Sequence, residues 1–301
     1  MLRTELLSRC TFPAEGTEVT CAVSGGADSL ALLVLAAAAG CEVTAIHVDH
    51  GLRAGSASEA GVVAAAAQRF GAAFRSVSVH VEAGPNLEAR AREARYAALP
   101  HDVLTGHTAD DQAETVLLNL CWGAGLDGLA GMRPANHPLL NLRRHETATL
   151  CAAERLEPVD DPSNADLAFR RNRVRHEALP LLAEIASRDV VAVVARQAAL
   201  LRADAELLDS LASAIDPTDA RGLSEAPIAL ARRAVRRWLM SAPASGGHPP
   251  DAAAVDRVLA VANGKVRAIE VAGVGRVSRS GGRLSMPSEA PSAGEVRSRR
   301  E

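Results

Sequence analysis

Aromatic side chains are scarce in this 301-residue chain: they make up 2% of it, as two tryptophans, one tyrosine and four phenylalanines. So few rings exclude an extended base-stacking surface. Lysine is rarer still, because Lys265 stands alone among 33 basic residues and the rest are arginines. The five cysteines, Cys10, Cys21, Cys41, Cys121 and Cys151, lie far apart without a C-x-x-C pair. That spacing excludes a disulfide framework, a zinc ribbon and an iron–sulfur site, and the cysteines read as small apolar residues. Long apolar runs are missing too: residues 30–39 stop at Gly40, well short of the roughly 20 residues a membrane-spanning helix needs. The N-terminus carries Glu5 and Glu15 and no basic-then-apolar signal pattern, so a cytoplasmic location without membrane partners is expected. A formal net charge of −3 says little about partners, since the arginines cluster locally.

What is present describes a globular chain, 48% apolar and 23% charged, long enough for two domains. Residues 19–23, 43–48, 74–79 and 103–105 read as strands with helical stretches between them. Strands separated by helices of ten or more residues predict right-handed crossovers and an α/β domain with a doubly wound parallel sheet. Ligands of such sheets bind beyond the carboxyl ends of the strands. From about Arg170 the pattern turns helical, and turn formers cluster at 216–227. The expected division is a catalytic domain with a helical extension over 1–215, a smaller, mostly helical domain over 216–286 and a disordered tail over 287–301. In the second domain, helices are expected around 228–240 and 251–261, with β-like runs at 266–271 and 276–280.

The first strand runs into Ser24-Gly25-Gly26-Ala27-Asp28-Ser29 and then an apolar helix. Two adjacent glycines let backbone N–H groups converge, and the positive end of the helix attracts an anion. The loop lacks both the G-K-[ST] of a Walker loop and the G-x-G-x-x-G of a dinucleotide site. An ordinary tight turn capped by Asp28 or Ser29 would explain a lone glycine pair; the full hexapeptide favours a nucleotide phosphate. A carboxylate beside crowded phosphates needs a cation between them, which makes Asp28 the candidate magnesium ligand.

Two further motifs fall at strand ends. His47-Val48-Asp49-His50-Gly51-Leu52-Arg53 closes the second strand. His47, flanked by Ile46 and Val48, reads as a core histidine, whereas Asp49, His50 and Arg53 are candidate site residues. Gly106-His107-Thr108-Ala109-Asp110-Asp111-Gln112-Ala113-Glu114-Thr115 follows the fourth strand. With Thr108 as cap, His107, Asp111 and Glu114 fall near one side, and Asp110 and Glu114 repel at i,i+4. A metal or a substrate ammonium would offset that repulsion. A capping box from Thr108 to Asp111 explains the aspartates but leaves His107 and Glu114 without a reason.

The loop SGGADS resembles the signature of the PP-loop ATP pyrophosphatases. That resemblance implies an adenine nucleotide hydrolase-like fold, ATP cleaved between its α and β phosphates, and pyrophosphate oxygens held by Ser24, Gly25, Gly26 and Ser29. HVDHGLR, the Ala91/Arg92/Arg95/Tyr96 pattern, GHTADDQAET, Asp161-Pro162-Ser163-Asn164 and Arg171-Asn172-Arg173-Val174-Arg175 then occur in order. Together they resemble the tRNA(Ile)-lysidine synthases over about residues 19–182. This implies that ATP adenylates the carbonyl at position 2 of the wobble cytidine in an isoleucine tRNA with a CAU anticodon. The amine of free lysine then displaces AMP.

On that reading Asp28, His107, Asp111 and Glu114 are the catalytic candidates, with Asp49 beside the nucleotide and Asp110, Asp111 and Glu114 facing lysine. Arg171, Arg173 and Arg175 suit ATP or tRNA, and Arg232, Arg233, Arg236 and Arg237 form a basic helical face suited to the tRNA backbone. A second copy of the chain is a further candidate partner. The sequence departs from the family pattern at Trp122-Gly123, where Arg-Gly is usual, and at His137-Pro138-Leu139, where Arg-Pro-Leu is usual. A PP-loop tRNA thiolase, a small-molecule amidating synthetase and a non-catalytic nucleotide- or tRNA-binding module are the alternatives; the lack of C-x-x-C weighs against the thiolase.

Overall fold

The computed structural model describes residues 2–49, 56–79, 90, 94, 97–160, 165–242 and 250–287. The expectations for residues 50–53, 91–92, 95–96, 161–164 and 288–301 lie outside the described residues. The chain divides into two compact units, Met1–Arg202 and Ala203–Glu301.

The N-terminal unit opens with helix α1 (Leu2–Leu7) and then alternates β1 (Glu18–Ala22), α2 (Ala27–Ala38), β2 (Glu42–Asp49), α3 (Ser56–Arg69) and β3 (Ala73–Ser78). Strand β4 (Leu104–Thr105) is the fourth of the sheet among the described residues. The four strands are all parallel in the order β3-β2-β1-β4, with Val19 opposite Val43 and Cys21 opposite Leu104. Because β1 pairs β2 on one side and β4 on the other, the chain reverses its winding direction between β1 and β4. That reversal opens a crevice at the carboxyl ends of those two strands. Helix α2 shows why its run is continuously apolar: residues 30–36 are wholly buried, packed with Leu139, Leu142, Leu150 and Cys151 as well as with the sheet. A helix covered on all sides needs no polar face.

Beyond β4 the unit is helical: α4 (Ala109–Cys121), α5 (Leu126–Leu129), α6 (Arg144–Ala153), α7 (Arg170–Arg173), one turn of π-helix (Val174–Ala178), α8 (Leu179–Ala186) and the long α9 (Val190–Ser213). The division between the units falls at Arg202, inside α9. No helix among the described residues is long and apolar enough to cross a membrane.

The C-terminal unit contains α10 (Ala220–Glu225), α11 (Ile228–Met240), α12 (Ala252–Ala262) and the antiparallel sheet β5 (Ala268–Val271), β6 (Gly275–Ser280), β7 (Arg283–Ser285). Its core is built from Ala231, Val235 and Leu239 of α11, Val255, Val258 and Leu259 of α12, and Val271, Val277 and Leu284 of the sheet. Strand β7 was not expected from the sequence. It is set by Gly281-Gly282, both with positive φ, joining Ser280 to its partner Arg283 in a two-residue hairpin. The turn-rich stretch at 216–227 is tied to this hairpin, since the Leu284 N–H donates to the Thr218 carbonyl at 2.7 Å and the Ala220 N–H to that of Gly282 at 3.0 Å.

Candidate active site

The loop after β1 is built to leave donors available. Gly25 has φ +93, a conformation side-chain-bearing residues rarely adopt, and a Cβ there would meet Val159 at 3.3 Å. Gly26, which has no side chain to accept, is the N-cap of α2, so the cap itself leaves the first N–H groups of this twelve-residue helix available. The loop is braced from within: the Ser24 N–H donates to Ser29 Oγ at 3.2 Å, and Ser29 Oγ–H donates to the Gly26 carbonyl at 2.9 Å. Gly106, just past β4, presses against the start of α2, where a Cβ would lie 2.5 Å from the Asp28 carbonyl oxygen. Only glycine lets the two strand ends close up, and this brings the GHT segment against the phosphate loop.

His47 is a buried core residue, as the sequence suggests, with its Nδ1–H directed at the Val23 carbonyl at 3.0 Å. Asp49 ends β2 in register with Ser78. His107 lies at the end of β4, where Thr105 Oγ1 is 2.6 Å from His107 Nδ1 and 2.5 Å from His137 Nδ1. Thus His137, one of the two departures from the family pattern, shares a hydroxyl with His107.

Asp111 has two roles. Its Oδ2 accepts the Thr108 N–H at 2.8 Å and the Thr108 hydroxyl at 3.0 Å, fixing the start of α4. Its Oδ1 accepts Arg144 Nη2 at 2.8 Å and Arg171 Nη2 at 3.1 Å. Glu114, one turn on, is fully buried. It accepts Arg171 Nε at 2.6 Å, Arg175 Nε at 2.7 Å and Arg144 at 3.3 Å. Arg144 also reaches Asp28 Oδ2 at 3.4 Å, and Thr147 donates to the other oxygen of Asp28. Three guanidiniums therefore meet three carboxylates, and the chain's own arginines supply the cations that offset the acidic repulsion. Asp110 stands apart: Arg143 grips it through Nε at 3.0 Å and Nη2 at 3.1 Å, and Arg143 in turn pairs with Asp189.

Protonation follows from this network. Burial pushes Asp111 up, but Arg144 and then Arg171 outweigh it and hold the carboxyl at about 2. For Asp28 burial dominates, reinforced by the nearby charge of Asp111, and its pKa rises to about 6 despite Thr147 and Arg144. The same network thus fixes one carboxylate as an anion while a second, at the phosphate loop, is poised to titrate near neutrality.

Of the expected arginines, Arg171 and Arg175 point into the site. Arg173, half a turn away, pairs instead with exposed Glu177 at 2.9 Å. Arg143, Arg144, Thr147 and Asp189 were not expected from the sequence. A signal was present: Arg143-Arg144 opens α6, where cations oppose the helix dipole and acids are the ordinary choice. In the C-terminal unit, Arg232 pairs with Asp256 at 2.7 Å, Arg233 pairs with Asp209, and Arg237 donates to the Ala212 carbonyl at 3.1 Å. Arg236 makes no ion pair among the described residues.

A cavity of about 250 Å³ adjoins the acidic side of the network. Its lining combines the charged side chains of Asp110, Glu114, Arg143, Arg144, Arg175 and Asp189 with Leu179, Pro180, Ala183, Val190 and Val191.

A glycine-rich loop at the switch point of a parallel sheet, facing an acid–arginine cluster, defines a PP-loop nucleotide enzyme, and the PP-loop domain model matches residues 4–182. The chain is 42% identical to the tRNA(Ile)-lysidine synthase of Nocardia farcinica over 84% of its length and 85% of that protein. It is 45% identical to that of Mycolicibacterium paratuberculosis over 81% and 82%. The chain belongs to the tRNA(Ile)-lysidine synthase family. In fold it is similar to the U34-tRNA thiolase NcsA of Methanococcus maripaludis, with a TM-score of 0.53 at 18% identity, covering 67% of this chain and 78% of that one.

Proposed function

We propose that this enzyme is a ligase that uses ATP to adenylate the wobble cytidine of isoleucine tRNA carrying a CAU anticodon, and then joins lysine to it. The observation that carries this reading is the continuous network from Asp28 at the phosphate loop through Arg144 to Asp111 and Glu114, with the cavity beside it. The site thereby couples a phosphate-binding turn to a pocket lined by both charged and aliphatic side chains.

The residues divide the work. Ser24, Gly25, Gly26 and Ser29 hold the departing pyrophosphate through N–H and hydroxyl groups, with the α2 N-terminus favouring its charge. The described residues hold no group of three or more His, Cys, Asp or Glu arranged around a metal. A magnesium ion therefore fits here only as Mg²⁺ usually binds, through a carboxylate and substrate phosphates, and Asp28 supplies the carboxylate. Held there, it would supply positive charge to offset the charge that develops on the departing pyrophosphate. The cytidine carbonyl oxygen attacks the α phosphorus as the bond to pyrophosphate breaks. Lysine's amine then forms the C–N bond as the C–O bond to AMP breaks, and the amine proton leaves to solvent.

Lysine is the amino acid the cavity suits. An ammonium entering the cavity would exchange with the arginines that now hold Asp110 and Glu114, Leu179, Pro180 and Val190 would wall four methylenes, and the released Arg143 and Arg175 would meet a carboxylate. His107 is assigned to the adenylated base or phosphate and Asp49 to the nucleotide. Arg232 and Arg236 of the C-terminal unit are assigned to the tRNA backbone.

The test is incubation of the purified chain with ATP, magnesium, labelled lysine and CAU-anticodon isoleucine tRNA, beside the methionine tRNA with the same anticodon. Acid-stable label on the isoleucine tRNA alone, with AMP formed, is the expected result. AMP formed without lysine transfer would overturn the nucleophile, and no AMP at all would overturn the enzyme.

A further inference from the structure

Trp122 is one of only two tryptophans in an aromatic-poor chain, yet its side chain is 63% exposed. A solitary surface apolar residue needs no explanation, but this one is not solitary. The guanidinium of Arg170 lies over its ring, 6.0 Å from the centroid, and Leu120, two residues earlier, is 56% exposed. Arg170 is itself exposed and heads α7. The next residue, Arg171, turns inward to Glu114 and Asp111. Two consecutive arginines thus link the buried site to the exposed indole, and both features share the side of α4 that faces α7.

From this we infer that Trp122 and Arg170 form a stacking platform for an unpaired nucleobase of the anticodon loop, a few nucleotides from the cytidine being modified. The inference rests on the tRNA substrate proposed above. Single-stranded RNA is read by stacking splayed bases on aromatic rings and on guanidinium planes, and here one of each stands at the rim of the site. Glu114 and Trp122 are eight residues apart on one helix, about 12 Å along its axis. That is the rise of roughly three to four stacked nucleotides, so the base received lies a few nucleotides from the modified one. The positive charge of Arg170 complements the loop phosphates, which an apolar protein partner would not require.

The experiment measures binding of the full chain to a labelled CAU anticodon stem-loop, at two or more salt concentrations, for wild type, Trp122→Phe, Trp122→Ala and Arg170→Ala. Loss of one base stack weakens binding about 5- to 100-fold. Trp122→Ala is expected to fall in that range, with the salt slope and the ATP KM unchanged, and Trp122→Phe to retain most of the affinity. Arg170→Ala is expected to weaken binding and flatten the salt slope. In a Trp238→Phe background the remaining indole fluorescence is expected to be quenched by the stem-loop and not by a loopless duplex.

Unchanged stem-loop affinity in Trp122→Ala overturns the platform, as does a change confined to the chain's self-association. Lysine transfer by the wild-type chain to whole tRNA is read in parallel. Transfer intact with Trp122→Ala binding unchanged sinks the platform alone, whereas absence of both transfer and stem-loop binding sinks the proposed function with it.

Discussion

The two arginine clusters of this chain look alike in sequence and differ in depth. Arg144, Arg171 and Arg175 converge on Glu114, whose side chain has no exposure, while Arg232 meets Asp256, whose side chain is 47% exposed. Coulomb attraction is stronger where protein excludes water than between charges that solvent surrounds. Each buried charge also carries a desolvation cost that only its partners offset. The inner cluster is therefore an interdependent unit in which the charges of Asp111 and Glu114 cannot be removed without stranding buried guanidiniums. In the outer cluster Arg232 is held by a single exposed carboxylate, which it can exchange for a phosphate.

The largest expected effect comes from breaking the inner cluster. Glu114→Gln leaves three guanidiniums facing one carboxylate fewer, and removing one partner of a buried ion pair costs about 3 kcal/mol of stability. Denaturant unfolding in the absence of substrates checks this. Lysine-dependent turnover in the same variant is expected to fall at least ~100-fold, the range for loss of a group that positions a reactant.

Asp28→Asn sharpens the comparison with the opposite sign. The folded-state pKa of Asp28 is raised from 3.8 to about 6. The folded state therefore binds more protons than the unfolded state across that window, and stability falls as pH rises through it. Asparagine mimics the protonated form, so the variant is expected to be more stable than wild type at pH 7–8 by about 2 kcal/mol. The gain should disappear as pH falls toward 4. Thermal melts across pH 4–8 check this, and AMP formation in this more stable variant is expected to be lost. Asp111 behaves inversely: its pKa is lowered to about 2, so the stability it contributes at neutral pH is lost as pH falls from about 4 toward 2.

The smallest effect is expected from the outer cluster. Arg232→Ala with Arg236→Ala should leave the melting midpoint and the lysine KM unchanged. The tRNA affinity should drop, with a salt slope reduced by about 1 for each phosphate no longer neutralised. Equal loss of stability in the inner and outer variants would erase the distinction drawn from depth.

The sequence made much of this legible, for identifiable reasons. The parallel sheet and its switch point followed from strands alternating with helices, and α11 at Ile228–Met240 lies where its apolar period placed it. The PP-loop domain was readable because the whole hexapeptide SGGADS, and not its glycine pair alone, stands at the strand–helix junction. The cap on α4 was readable from Thr108 and Asp111, but the partners of Glu114 were not. Arg144 lies 30 residues further on and Arg171 57 residues further on, so only the folded chain brings them together. Even so, periodicity separates Arg171 and Arg175, four apart, from Arg173 on the other side of the helix. Strand β7 was missed because three residues carry too little pattern, although Gly281-Gly282 marked the turn before it.

The most direct test of the inner cluster's function is the apparent lysine KM of Glu114→Gln and of Arg232→Ala with Arg236→Ala, measured at saturating ATP and isoleucine tRNA. A lysine KM raised at least ~10-fold in Glu114→Gln, with the ATP KM near wild type and the double arginine variant unaffected, is the result this account predicts. A wild-type lysine KM in Glu114→Gln would contradict it, and would leave the buried acid–arginine cluster as scaffolding for the phosphate loop alone.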